Sequence, residues 1–453
     1  MIPRSMSAIA GEVGGRLTGA DAEITHVVTD SRLVSPGALF VALAGERTDG
    51  AGFVEDALAR GATGALVPEG VVMAGSGIVV ASTGEALLRL ATAERTRSSA
   101  IVVGITGANG KTTTKDMAAA VLSRTYRTHA SPGSFNNEIG LPITILGADP
   151  ATEVIVAELG ARRKGDVTLL CEVAKPAIVV VTNVGVAHIE IFGSWEAIVE
   201  ASAEPVEAVA AEGWVVLNAD DPVVAGFRSR AAGRVVTFGV HADADVRAEG
   251  VEIGADGTAS FTLVTRDRPV PVDLPIAGEH MVPNALAAAA VGQILGVPAE
   301  ASAQALATTA LSRWRMETFT THEGVRVIND AYNANPESMA AALKTARVMA
   351  ADARLIAVLG HMAEIGPIAG VAHEQVGDLA ARLPVDRLVT VGHDARPIAM
   401  SALREGVEPE NVASYDDPRD ALADVRAHAR VGDVVLVKGS RAAGLESVAE
   451  ALR

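Results

Sequence analysis

Cysteine is nearly missing: Cys171 is the single example among 453 residues. No intrachain disulfide can form, no thiolate metal cluster is available, and a reducing cytoplasm fits. Aromatic side chains are scarce as well, at 3%, which leaves Val, Leu, Ile and Ala to fill the interior. Positive charge is in deficit. The formal net charge of −17 argues against nucleic acid as a partner, while still permitting a local basic pocket for a small anion. Long apolar runs are absent too. The stretch Ala285–Val291 is alanine-rich and closed by Gly292 and Gln293, so it reads as a buried helix and no integral membrane association is expected. The opening MIPRSMSAIA lacks the charged-then-apolar pattern of a secretory signal. What remains, 49% hydrophobic and 21% charged residues, is the balance of a well-packed soluble protein long enough for about three domains. Nothing in the sequence gives an oligomeric state, and a monomer is the working expectation.

The richest segment is Gly104-Ile105-Thr106-Gly107-Ala108-Asn109-Gly110-Lys111-Thr112-Thr113-Thr114. An apolar run, Ala100–Val103, precedes it, and a helix-compatible stretch, Asp116–Leu122, follows. Strand, glycine loop and helix is the arrangement that cradles a nucleotide phosphate. Backbone N–H groups and the helix N-terminus face the anion, Lys111 neutralises outer phosphates, and Thr112 is the expected hydroxyl ligand of Mg2+. A strict Walker A loop starts with glycine where Ile105 stands. The competing reading is a glycine turn with a surface lysine. ATP or GTP is the expected ligand.

Around this loop the chain divides into three α/β units. Residues 1–82 carry strand candidates at Val27–Val28, Ala38–Leu43, Gly64–Val67 and Ile78–Val80, with a helix at Phe53–Arg60. This unit has no phosphate loop, which suits substrate recognition or a purely structural cap. Residues 83–314 alternate helices with strands at Ile101–Ile105, Glu153–Ala157, Ala177–Thr182 and Trp214–Leu217, the pattern of a mostly parallel sheet covered on both faces. A more antiparallel patch is expected near Val246–Leu274. Residues 315–453 repeat the alternation, with strands at Val325–Ile328, Leu355–Leu359, Arg387–Val391 and Asp433–Val437. Helices are expected there near Glu337–Met349, Ala372–Ala381, Pro418–Ala429 and Gly444–Leu452.

Polar residues gather just after these strands, where open α/β sheets bind ligands. Glu158 ends one strand, and a carboxylate there can reach Mg2+ beside the phosphate loop. Thr182-Asn183-Val184-Gly185-Val186-Ala187-His188 follows the next. A neutral imidazole at His188 can bind a divalent ion, although Mg2+ prefers oxygen. A helix-capping or buried histidine explains it equally well. Asn218-Ala219-Asp220-Asp221 can contact nucleotide or cap a helix. His280 and Asn284, four apart, can share a helical face. Arg315 stands at the last boundary, with rigid donors suited to phosphate. In the final unit, Asp330-Ala331-Tyr332-Asn333-Ala334-Asn335-Pro336 and Lys438-Gly439-Ser440-Arg441 occupy corresponding positions after two strands.

These segments resemble the Mur ligase family over essentially the whole chain and in motif order. T-G-A-N-G-K-T-T at 106–113 is broad to the family. S-F-N-N-E-I-G-L-P at 134–142, T-N-V-G-V-A-H at 182–188 and D-A-Y-N-A-N-P at 330–336 are more specific to members that add D-alanyl-D-alanine. D-S-R at 30–32 and F-V-A-L-A-G-E-R-T-D-G at 40–50 are similar to the family's UDP-sugar domain. L-N-A-D-D at 217–221, N-A-L-A-A at 284–288 and K-G-S-R at 438–441 complete the likeness. The resemblance implies a UDP-binding α/β domain, a central P-loop ATPase-like domain and a C-terminal Rossmann-like domain. It implies an amide ligase that uses ATP and Mg2+ to join D-alanyl-D-alanine to UDP-N-acetylmuramoyl-tripeptide through an acyl phosphate. Gly107, Ala108, Asn109, Gly110, Lys111, Thr112, Thr113, Asn284 and Arg315 then contact nucleotide. Thr112, Glu158 and His188 hold metal, and Lys111, Glu158 and His188 form the catalytic group. Ser31, Arg32, Asn136, Asn137, Asn333 and Asn335 contact substrate. The remaining alternatives are a weakened Mur-like binding protein, a general P-loop ATPase and a polyglutamate ligase.

Three positions depart from the family pattern. A lysine, whose carbamate supports a second Mg2+, usually stands fourteen residues beyond the motif histidine; here the residue is Ser202. A water network or another carboxylate, Glu204 being the nearest in sequence, is expected to take over part of that work. His361 stands where an acidic residue is usual, and imidazole can titrate near neutral pH. Ala51 stands where the early D-G-H segment has histidine.

Overall fold

The computed structural model describes residues 1–45, 48–186 and 188–453. Glu46 and Arg47 of the 40–50 segment and Ala187 of the 182–188 segment lie outside the described residues. Three large sheets follow one another along the chain.

The first has the spatial order Arg16–Thr18, Gly77–Val80, Gly64–Pro68, Ala38–Val41, His26–Val28, parallel except at the Arg16–Thr18 edge. Its strand ends carry the D-S-R segment. There the Asp30 carboxylate accepts from the Arg32 backbone N–H at 2.9 Å and pairs with the same residue's guanidinium at 2.6 Å.

The central sheet runs Val270–Ala277, Thr258–Val264, Val246–Ile253, Arg234–Gly239, Trp214–Asn218, Ile178–Val181, Ile101–Thr106, Val154–Glu158, Thr128–Ala130. Strands from Val246–Ile253 to Thr128–Ala130 pair in parallel. Val154-Ile155-Val156-Ala157 and Ile178–Val181 are buried throughout, because helices cover both faces of a parallel sheet and leave no solvent side to alternate with. Val246–Ile253, Thr258–Val264 and Val270–Ala277 form the expected antiparallel patch. In Val270–Ala277 buried and exposed residues alternate up to Ile276, as one-sided packing requires. Successive strands fall on opposite sides of Ile101–Thr106, the reversal at which open sheets leave a crevice.

The alanine-rich segment is a buried helix, Met281–Ile294, packed on the phosphate-loop helix Lys111–Leu122. Its small residues let the two backbones approach; a Cβ on Gly292 would lie 2.8 Å from Val121 Cγ1. No helix among the described residues is long and apolar enough to cross a membrane. The third sheet runs Glu317–Thr320, Arg326–Asp330, Val434–Lys438, Leu355–Gly360, Arg387–Val391, Val412–Tyr415, parallel but for its first pair.

Helix Thr83–Arg97 buries Leu87, Leu90 and Ala91 in one core with Met6 and Ile9 on one side and Leu141 and Leu170 on the other. It ties the first sheet to the second. The phosphate-loop helix begins at Lys111, earlier than the Asp116 expected from propensity. Three consecutive β-branched threonines disguise its start, and Gly110, at φ 78°, turns the loop straight into the helix.

Candidate functional site

The carboxyl ends of the central strands are level. Glu158 pairs with Ile105, and Thr106 pairs with Val181, so the loops after these strands open at one edge. Facing them, Asp330 and Lys438 end adjacent strands of the third sheet. Between the two edges lies a cleft of about 1400 Å³. It is lined by Ala108, Asn109, Gly110, Lys111, Thr112, Thr113, Asn136, Asn137, Glu158, His188, Asn284, Arg315, Asn333 and Asn335, among others. Gly107 sits just behind this lining. Its φ is 136°, and a Cβ there would collide with Thr182 Oγ1. A Cβ on Gly110 would collide with Asn284 Oδ1. Both positions therefore require glycine for loop and helix to close up.

The phosphate loop is pinned from the next strand. Asn183 Oδ1 accepts from Asn109 N–H at 2.8 Å, its Nδ2 donates to Asn109 O at 3.1 Å, and Thr182 Oγ1 donates to the same carbonyl at 2.6 Å. Lys111 Nζ donates to Gly107 O at 2.6 Å. Desolvation lowers its pKa against the opposing pull of the Glu158 carboxylate, and Arg315 lowers it further. An anion in the cleft would relieve that penalty.

Glu158 and Thr112 are both 1% exposed. Thr112 Oγ1 donates to Glu158 Oε2 at 2.7 Å, and Asn136 Nδ2 donates to Oε1 at 2.8 Å. Ser134 Oγ lies 2.9 Å from Thr112 Oγ1 and accepts from Arg315 Nη2 at 2.9 Å. The guanidinium also lies over Tyr332, 4.3 Å from the ring centroid, and its Nε is buried without a hydrogen-bond partner. The result is a hydroxyl–carboxylate corner with an arginine aimed across it.

At the other end, His188 takes a left-handed backbone, φ 58°, just before the short helix Ile189–Phe192. It does not cap that helix with its side chain. Its Nδ1 meets the Glu364 carboxylate, which also lies 3.6 Å from Arg162 Nη2. Desolvation holds the imidazole below its ordinary pKa, against the pull of Glu364. A neutral ring donating from Nδ1 presents an Nε2 lone pair.

Several polar groups are structural. Asp221 accepts from Val223 and Val224 N–H and caps a helix, and Asp220 accepts from three backbone amides after strand Arg234–Gly239. Asn137 Oδ1 holds Gly140 N–H at 2.9 Å. Asn284 Oδ1 accepts from Thr114, and its Nδ2 donates to His280 O. Asn335 caps helix Pro336–Ala350 through a capping box with Ser338, while its Nδ2 donates to Asn109 Oδ1 at 2.7 Å. Lys438 Nζ donates to Asp330 Oδ2 and to Asn333 O.

Ser31 and Arg32 belong to the first sheet's edge and do not line the cleft. Glu204 is not the replacement carboxylate. It accepts from Gly165 N–H at 2.6 Å and from Thr168 N–H and Oγ1 at 3.0 Å, holding the start of helix Asp166–Ala174, and it does not line the cleft. Ser202 Oγ donates to Ile198 O within its own helix. His361 stands outside the cleft, and its loop delivers Glu364 instead. Sequence reasoning gives no role to Ser134, Arg162 or Glu364. Ser134 stands inside a quoted motif, but only the fold brings it to Arg315 and Glu364 to His188.

Three comparisons bear on this geometry. Residues 23–94 match the Mur ligase family catalytic domain, 105–292 the Mur ligase middle domain, and 314–441 the Mur ligase glutamate ligase domain. The chain is 42% identical, over all of itself and 98% of the relative, to the UDP-N-acetylmuramoyl-tripeptide–D-alanyl-D-alanine ligase of Mycobacterium tuberculosis (strain ATCC 25618 / H37Rv). It is 36% identical to the same-named protein of Bacillus subtilis (strain 168), over all of this chain and 99% of that one. A MurF crystal structure from Acinetobacter baumannii superposes with TM-score 0.88 at 30% identity, covering 99% of this chain and 98% of that chain. MurF ligase from Thermotoga maritima in complex with ADP gives 0.81 at 28% identity, covering 94% and 96%.

Proposed function

Because the chain belongs to the Mur ligase family along its whole length, we infer that it is an ATP-dependent amide ligase of peptidoglycan synthesis. It joins D-alanyl-D-alanine to UDP-N-acetylmuramoyl-tripeptide, giving the pentapeptide. The observation that carries the site assignment is the meeting of Lys111, the Thr112–Glu158 pair and Arg315 in one cleft. The division of work follows three units. Residues 1–82, with Ser31 and Arg32, hold the UDP moiety; 83–314 hold ATP; 315–453 close over both.

A tripeptide carboxylate oxygen attacks the terminal phosphorus of ATP, and the bond to the ADP oxygen breaks as the new P–O bond forms. The amine of D-alanyl-D-alanine then adds to the acyl carbon and loses a proton. Collapse expels phosphate carrying one former carboxylate oxygen. Lys111 and Arg315 offset charge on the transferring group, where fixed donors act most strongly. Gly107, Ala108, Asn109, Gly110, Thr113 and Asn284 form or back the nucleotide cradle. Asn136, Asn137, Asn333 and Asn335 line the substrate side.

Thr112 and Glu158 offer a hydroxyl and a carboxylate, a hard-oxygen pair that suits Mg2+, an ion held through one or two carboxylates, phosphate oxygens and water. Mg2+ would supply positive charge to the phosphoryl oxygens. His188 Nε2 and the Glu364 carboxylate are the groups available to a second ion. The lysines lining the cleft are Lys111 and Lys438, and both are hydrogen-bonded. Added bicarbonate should therefore leave the rate unchanged, and a rate increase would point to a carbamylated lysine.

The test supplies ATP, Mg2+, D-alanyl-D-alanine and tripeptide labelled with heavy oxygen in its terminal carboxylate. Tripeptides ending in diaminopimelate, lysine and ornithine are compared. Label must appear in the released phosphate with each pentapeptide formed, and glutamate must not replace D-alanyl-D-alanine. Pentapeptide without label in phosphate overturns the mechanism.

A further inference from the structure

Two residues of the phosphate-loop helix face away from the cleft yet hold both of the segments that shape its hydroxyl–carboxylate corner. Lys115 is 2% exposed in its side chain and lies 2.8 Å from Asp116 Oδ1. Its Nζ also donates to Ser131 O at 2.8 Å and Gly133 O at 2.9 Å, carbonyls of the loop that carries Ser134 and Asn136. The other oxygen of Asp116 accepts from Ser312 N–H at 2.7 Å. Ser312 lies in the linker between helix Ala299–Leu306 and strand Glu317–Thr320; later linker residues include Trp314 and Met316, both left-handed at φ 60° and 49°. Between those two lies Arg315, which reaches back to Ser134. Neither Lys115 nor Asp116 lines the cleft.

A lysine this buried must be paired, because an unpaired buried ammonium is costly. Yet the pairing alone does not require Asp116 to bind a linker amide nearly two hundred residues on. Non-glycine residues with positive φ are held only where surrounding contacts fix them. A fixed amide at Ser312 supplies such a contact, just before both strained positions.

We propose that Asp116, with Lys115, is a positioning residue for the ligase reaction: it anchors the linker at Ser312, so that Arg315 is delivered to the Ser134–Thr112 corner in one place. This rests on the assignment of Arg315 to the transferring phosphate. Asp116→Ala frees the Ser312 amide. Its hydrogen exchange speeds up, and kcat falls about tenfold to a hundredfold, the scale of an ångström-sized misplacement. KM for ATP changes little, because the loss falls on charge that develops in the transition state. Asp116→Asn keeps an oxygen acceptor and restores both the slow exchange and most of kcat. In an Arg315→Ala background, Asp116→Ala costs little further, since the two act through one group.

Unchanged kcat with accelerated exchange at Ser312 overturns the proposal. So does unchanged exchange, or a full additional loss in the Arg315→Ala background. If Asp116→Ala does not fold, Ser312→Pro removes the same hydrogen bond from the linker side and is read by the same kcat and Arg315→Ala cycle. Failure of the ligase reading itself would appear as no pentapeptide from the unmodified chain, a separate result.

Discussion

The two ends of the cleft are held in different ways. At the phosphate-loop end, Thr112 and Asn136 hold Glu158, and Asn183 holds Asn109, all five from the central unit. Thr112 and Glu158 are sealed from solvent. At the other end His188 and Glu364 come from different units, with side chains 29% and 34% exposed. The carboxylate corner of the first end is preorganised within one unit, with Arg315 and Asn335 of the third unit added to it, while the second exists only when the third unit lies against the central one. Substitutions at the first should strike the chemistry itself, and those at the second should strike assembly of the site.

The largest expected effect is at the first end. Lys111→Met should lower kcat by about a hundredfold to a thousandfold, the scale of losing one preorganised donor. It should leave thermal stability unchanged or raised, because desolvation already disfavours the Lys111 cation. Steady-state kinetics and a melting curve on the same sample check both. A fall in stability would mean that the lysine holds the fold, and the contrast between the two ends would weaken.

At the second end, Glu364→Ala should cost about tenfold in kcat/KM, less than Lys111→Met, because its partners are half-exposed and solvent substitutes in part. Combined with Arg162→Ala, the losses should be clearly less than additive. A Glu364→Ala loss as deep as that of Lys111→Met would erase the distinction.

Asn335 tests the point where the third unit meets the phosphate loop. Asn335→Ala removes a helix N-cap and the bond to Asn109, so it should destabilise by about 1 kcal/mol and slow the reaction. Asn335→Asp keeps a good cap but loses the amide donor to Asn109. It should retain the melting temperature and lose rate. Equal losses in both properties for both variants would mean that the cap alone matters.

Much of this architecture was legible because its signals are local. The strand–loop–helix of the phosphate site, the strand-end Glu158 and the antiparallel patch at Val246–Leu274 rest on neighbouring residues or a short period. Legibility failed where a role is set by distant chain. Glu204 looked like a spare carboxylate beside Ser202, yet it turns toward the start of a neighbouring helix. Asp220 and Asp221 stand where nucleotide contact and helix capping compete, and both turn to backbone amides. Glu364 is an ordinary loop glutamate until a left-handed backbone at position 188 directs an imidazole to it. No pattern within one segment encodes such a meeting.

The smallest expected effect concerns the loop that delivers Glu364. His373 is 2% exposed. Its Nε2 accepts from Met362 N–H at 2.9 Å and its Nδ1 donates to Ala369 O at 2.7 Å, so the fold requires the neutral ring. Burial lowers its pKa most; His361 lowers it further, while the Ala369 carbonyl and Asp394 pull the other way. The folded pKa therefore lies below the ordinary 6.5. Above that pH both states are neutral and His373 adds no slope. As pH falls below it, the unfolded chain takes up a proton that the folded chain refuses. Stability then drops by up to about 1.4 kcal/mol per pH unit until the folded pKa is reached. His361→Asp replaces an imidazole by a carboxylate beside the ring, so it should raise the His373 pKa and flatten the slope. Denaturant unfolding of both proteins between neutral pH and pH 5 measures the difference. Parallel curves would mean that His361 does not act on His373. A flatter curve, with activity better retained in acid, would tie the family's departure at position 361 to the steadiness of the Met362–Glu364 loop, at the end of the cleft that depends most on closure.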